Sequence, residues 1–117
     1  MTIEEISEIL HARILRGEQW KNHEVHSAYG CDLMSDVLAH SNDQDLLLTG
    51  LCNPQSIRTA EMMDFTCIVF VRSKQPTPEM LDLAEQNGIS VLSTDLRMYT
   101  ACGLLYTNGL IGANDDR

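Results

Sequence analysis

At 117 residues the chain is long enough for one domain with a real core and too short for two. Its 44% hydrophobic and 21% charged residues suit a globular protein, and a net charge of -9 argues against non-specific nucleic-acid binding and against an anionic membrane surface. No apolar stretch approaches a membrane span, and Cys31, Cys52, Cys67 and Cys102 show no paired spacing, so reduced thiols and a cytoplasmic location are expected.

Thr2, with Glu4 and Glu5 following and Ile3, Ile6, Ile9 and Leu10 on one side, predicts an N-terminal amphipathic helix. His11–Arg16 reads as extended, and the polar stretch 17–24 as a connection, so 1–24 forms an N-terminal helix and edge segment. The core is expected over 25–110. Val25, Ser27 and Tyr29 alternate as in a strand, and Asp32 is placed to cap a helix carrying Leu33, Met34, Val37 and Leu38. Asp45–Leu51 contains Leu46-Leu47-Leu48, the continuous apolar run of a strand covered on both faces.

Asn53-Pro54 is a sharp helix start, a capping side chain followed by a proline where no N–H is wanted. That helix is predicted to run to about Asp64 with Ile57, Ala60 and Met63 inward or nearly so. Cys67–Val71 is rich in β-branched and aromatic residues, the signature of a strand. Thr77-Pro78-Glu79 repeats the helix start, Leu81, Leu83 and Ala84 help form an apolar face, and Asn87-Gly88 closes it. Ile89–Ser93 reads as the last strand. Thr94-Asp95 is expected to cap a final helix with Leu96, Tyr99, Gly103 and Tyr106 on one stripe, stopped by Asn108-Gly109. Residues 111–117 are left as a frayed tail, polar from Ala113 onward.

A strand followed at once by a capped helix, four times over, predicts an α/β fold: one three-layer domain with a mostly parallel, mixed sheet of four to five strands. The early segments, His11–Arg16 and Val25–Tyr29, are expected to pair antiparallel at an edge. Such a sheet gathers its helix N-termini along one side, where ligands bind in this class.

The sharpest lead to covalent chemistry is Cys52 followed, after five intervening residues, by Arg58-Thr59, the spacing of cysteine phosphatases. The loop lacks a glycine after Cys52, and Pro54 removes an N–H a phosphate cradle would use, so Cys52 reads better as a small apolar residue. His11, His23, His26 and His40 do not form a metal set. No glycine-rich nucleotide loop is present, and no Asp closes the Cys67–Val71 strand as a phosphoacceptor would. No catalytic residue, metal or cofactor is therefore assigned. What remains is the capped side of the sheet, with Asp32, Ser35, Asp36, Thr49, Asn53 and Asp95 as candidate ligand-binding residues. Each can also be explained by its own helix start, at about 1 kcal/mol apiece, though Ser35 and Asp36 fit a capping role less easily. Because Asp32, Asp36 and Asp95 would repel anions, a neutral, hydrogen-bonding ligand is expected there.

Three segments carry a resemblance: Tyr-Gly-Cys-Asp-Leu-Met-Ser-Asp-Val-Leu (29–38), Leu-Leu-Leu-Thr-Gly-Leu-Cys-Asn-Pro (46–54), and the run from Pro76 to Asp95. In their order and spacing, Ser27 to Leu110 resembles the DRTGG-domain family. Members occur alone in bacteria and archaea and as modules of phosphotransacetylases and CBS-domain pyrophosphatases, and are similar to the N-terminal domain of HPr kinase/phosphorylase. The residues that name the family differ here. Thr49–Asn53 stands where its Asp-Arg pair falls, and Val71-Arg72-Ser73 where it has Thr-Gly-Gly. The resemblance implies a non-catalytic regulatory or ligand-sensing domain that self-associates as a dimer and takes a small metabolite or nucleotide. The alternatives are an interaction module for a partner enzyme and, behind it, a small phosphatase using Cys52 and Arg58.

Overall fold

The structure, a computed structural model, describes residues 1–112, so the predicted polar tail from Ala113 lies outside the described residues. In chain order the elements are α1 (Ile3–Leu10), β1 (Arg13–Arg16), β2 (Ala28–Gly30), α2 (Met34–His40), β3 (Leu46–Thr49), α3 (Pro54–Met62), β4 (Cys67–Phe70), α4 (Pro78–Gln86), β5 (Ser90–Ser93) and α5 (Met98–Thr107). A short 3-10 turn spans Glu18–Trp20.

The five strands form one sheet in the order β1-β5-β4-β3-β2. β2 to β5 run parallel, and β1 joins β5 antiparallel. The expected pairing of His11–Arg16 with Val25–Tyr29 is thereby corrected: the two segments lie at opposite edges. Each strand-helix unit adds its strand on the same side of the one before. β1 takes the far side of β5, and β2 forms the opposite edge.

Crossovers of one hand put α2, α3 and α4 on a single face. There Met34, Val37, Ile57, Ala60, Met80 and Ala84 pack against Leu47, Ile68, Phe70 and Val91. On the other face Ile3, Ile6 and Leu10 of α1 and Ala101 and Leu105 of α5 meet Leu46, Leu48, Val69 and Leu92. The period-2 alternation of a strand sends neighbouring residues to opposite faces, which is why an unbroken Leu46-Leu47-Leu48 run is required. This is the three-layer α/β arrangement that the sequence predicts. Among the described residues no helix is long and apolar enough to cross a membrane.

Three predicted caps form. Thr2 and Glu5 make a reciprocal capping box, and Thr77 accepts from the Met80 N–H. Asn53 Oδ1 accepts from Gln55 N–H at 2.9 Å and Ser56 N–H at 3.4 Å. Asn53→Ala should therefore lower stability by about 1 kcal/mol in urea unfolding without changing the m-value.

Two predicted caps do not form. The N-caps of α2 and α5 are Leu33 and Arg97, and neither helix start receives a side-chain hydrogen bond. Asp32 turns instead toward the end of β3, and Thr94 Oγ1 donates to the Leu10 carbonyl at 2.7 Å. The later start of α5 also corrects its apolar stripe: Ala101 and Leu105 face the core, while Tyr99 is 92% exposed. Met63 falls just past α3 and, half-buried, packs against the α2–α4 cluster as expected.

Candidate functional site

β4 hands the chain to α4 on one face of the sheet, and β5 hands it to α5 on the other. Adjacent parallel strands whose exits part in this way leave a crevice between them, the usual ligand position in open α/β sheets. Here it is an open groove of about 440 Å³ lined by Arg72, Ser73, Asp95 and Arg97.

The walls are held by backbone bonds across the parting. Arg72 N–H donates to Leu96 O at 2.8 Å, Ser73 N–H to Thr94 O at 3.0 Å, and Thr94 N–H to Phe70 O at 3.0 Å. Ser73 Oγ donates to Asp95 Oδ1 at 2.8 Å, and Ser93 Oγ to Lys74 O at 2.9 Å. Arg72 and Ser73 are both left-handed, with φ of 62° and 60°. For residues with a Cβ this costs roughly 1–2 kcal/mol each, so the cross-strand bonds are what hold the pair there.

From this turn the Arg72 side chain lies along the strand ends. It crosses Gly50, where an added Cβ would sit only 2.8 Å from the guanidinium carbon, and reaches Asp32 Oδ2 at 3.5 Å. Asp32 Oδ1 accepts from Gly50 N–H at 2.6 Å and from Thr49 Oγ1 at 3.4 Å. One carboxylate thus ties the segment after β2 to the end of β3, and Arg72 extends the link to β4.

The family model of the DRTGG domain matches residues 5–107. The chain belongs to the DRTGG-domain family. Among solved structures it is similar to the CBS and DRTGG domains of the regulatory region of Clostridium perfringens pyrophosphatase, crystallised with the activator diadenosine tetraphosphate. The TM-score is 0.75 at 16% identity, over 97% of this chain and 51% of that one, a likeness that shows the fold. The chain spans about half the length of that regulatory region. No curated protein matches it.

In this DRTGG domain the left-handed pair Arg72-Ser73 stands where the resemblance places two glycines. Two polar side chains thus stand on a backbone conformation that glycine adopts readily. Of the residues singled out in the sequence, Asp95 lines the groove, and Asp32 and Thr49 lie at the neighbouring strand ends, joined to it through Arg72. Asn53 is occupied as the α3 cap. Ser35 and Asp36 are exposed on the first turn of α2 and do not line the groove. Arg72, Ser73 and Arg97 are not among the candidates the sequence offers, although Arg72 and Ser73 stand at the place of the family's Thr-Gly-Gly and Arg97 lies beside Thr94-Asp95.

The phosphatase arrangement does not assemble. Burial pushes the Cys52 thiol up, outweighing the opposing pull of Lys74, whereas a nucleophile needs it lowered. Asn53 already takes the Gln55 and Ser56 N–H groups, and Arg58 faces a groove between α3 and α4 that also holds Glu79 and Asp82. Among the described residues no cluster of His, Cys, Asp or Glu is suited to a metal.

Proposed function

We propose that this DRTGG domain is a non-catalytic regulatory module that binds a small metabolite or nucleotide in the crevice between the ends of β4 and β5, and that it self-associates as a dimer. The observation that carries the reading is the crevice itself. It opens where the chain parts to the two faces, and hydrogen-bonding side chains line it. The nucleotide activator bound to the regulatory region of the similar pyrophosphatase supports a ligand of this kind. Four free cysteines fit a cytoplasmic module.

Thermal unfolding against a panel of nucleotides, acyl phosphates and central metabolites tests it. A ligand at a hundred times its Kd should add about 2.7 kcal/mol, a shift of several degrees, and Asp95→Ala should abolish that shift. A flat panel would favour the second reading, an interaction module for a partner enzyme, for which exposed Leu33, Leu38, Met62 and Tyr99 supply apolar contact surface. Sedimentation equilibrium checks the dimer.

A further inference from the structure

We propose that the group this crevice takes is an anion of the phosphate class, gripped by Arg97 and Arg72, and that its binding draws Arg72 away from Asp32. The proposal rests on the crevice reading above and gives it a ligand chemistry opposite to the neutral one expected from the sequence.

The first ground is where the cations lie. The chain carries 8 Lys and Arg against 17 Asp and Glu, yet Arg72, Lys74 and Arg97 gather at the ends of these two strands. Arg97 is exposed and makes no ion pair among the described residues, despite that surplus of acid. The acid beside it in the groove, Asp95, accepts from the neutral Ser73 hydroxyl, so the lining sets two guanidinium groups against one carboxylate.

The second ground is the start of α5. A cation at an N-cap is the reverse of what helix stability favours, because it adds to the positive end of the helix and supplies no acceptor. Arg97 stands there, and no side chain caps the first-turn N–H groups. The guanidinium that lines the groove and the positive end of α5 therefore belong to adjacent residues, Arg97 and Met98. An anion complements both, and its oxygens can accept from both.

The third ground concerns the carboxylates that would oppose an anion. Asp36 lies outside the groove on α2, and Asp32 is engaged by Arg72 and by the Gly50 N–H. The Arg72–Asp32 contact is 3.5 Å long between side chains 47% and 52% exposed, so it is a weak, solvent-screened pair. An anion in the groove competes for Arg72 against little resistance, and the guanidinium offers it a bidentate fork. Asp32 then acts as the resting partner of a side chain that has two.

The experiment is a titration of the full, 15N-labelled chain with inorganic phosphate, against sodium chloride at matched ionic strength. Saturable shifts are expected at the Ser73 and Met98 amides and at the side-chain Nε–Hε signals of Arg72 and Arg97. Arg97→Gln, at an exposed and unpaired position, should keep the melting temperature and weaken phosphate binding about tenfold or more. Asp32→Asn can still accept from Gly50 N–H but no longer holds Arg72 by charge, so it should tighten phosphate binding roughly two- to fivefold.

Shifts that chloride reproduces, or affinity untouched by Arg97→Gln, would overturn the anion site as an adventitious ion only. Unchanged or weaker binding in Asp32→Asn would overturn the exchange of partners. A metabolite that stabilises the domain through Asp95 while phosphate moves none of these signals would sink the anion assignment and leave the crevice standing. Saturable phosphate shifts confined to other surfaces would likewise sink the anion assignment at this crevice.

Discussion

Replacing Phe70 with Ala is expected to destabilise the domain by about 3–5 kcal/mol. For a chain of 117 residues that is a loss of roughly 10–20 °C in melting temperature. Phe70 ends β4, is fully buried, and heads the large side chains of the core. It points to the α2–α4 face, in the cluster with Leu47, Ile57 and Val91, while its backbone is flanked by Thr49 and Ser93. Truncation removes the ring's transfer free energy and leaves a cavity that strands bonded on both sides cannot close. Domains of this size are stable by only about 5–15 kcal/mol, so the variant should sit near the limit of folding. Met62→Ala, at an exposed position on α3, serves as the contrast and should stay within about 0.5 kcal/mol. If urea unfolding showed both variants losing less than 1 kcal/mol, the two-sided packing of β4 would be wrong.

The same residues show what could be read from sequence. Leu46-Leu47-Leu48, Asn53-Pro54 and Thr77-Pro78 each carry their signal within a few positions, because a buried strand or a capped helix start is fixed by its near neighbours. Each appears where expected. The misreadings concern partners distant in sequence. Asp32 has the chemistry of a cap, but Gly50 N–H and Arg72 compete for it, and they are brought near by the β2–β3–β4 pairing. Thr94 likewise finds Leu10 O, 84 residues away.

Once Thr94 is taken, α5 starts at Met98. Each residue of displacement turns a helix face by about 100°, so Tyr99 moves from the expected core stripe to solvent. The groove was illegible for a related reason. Arg72 and Arg97 line one groove because α4 and α5 leave on opposite sides of the sheet. Strand order decides that, and no single segment states it.

A second large effect is expected at Gly17, where Ala should cost about 2–5 kcal/mol. Gly17 follows β1 with φ of 94°, outside the range L side chains comfortably adopt, and this contributes roughly 1–2 kcal/mol. An added Cβ would also lie 2.8 Å from Ser90 Cβ and 2.9 Å from Ser90 Cα, an overpacking of about 1–3 kcal/mol. Ser90 cannot retreat easily, since its N–H is bonded to Thr66 O at 2.9 Å and it pairs with Cys67 in the sheet. Its buried hydroxyl finds no hydrogen-bond partner among the described residues. Ser90→Ala alone should therefore be neutral or slightly stabilising, because an unsatisfied group is removed with little volume. That separates side chain from backbone as the obstacle. In the double variant the hydroxyl is gone while Ser90 Cβ and Cα positions remain occupied, so calorimetry should show only partial recovery of the Gly17→Ala loss. Full recovery would mean that the hydroxyl alone blocked the site, and that β5 is free to move away from the turn after β1.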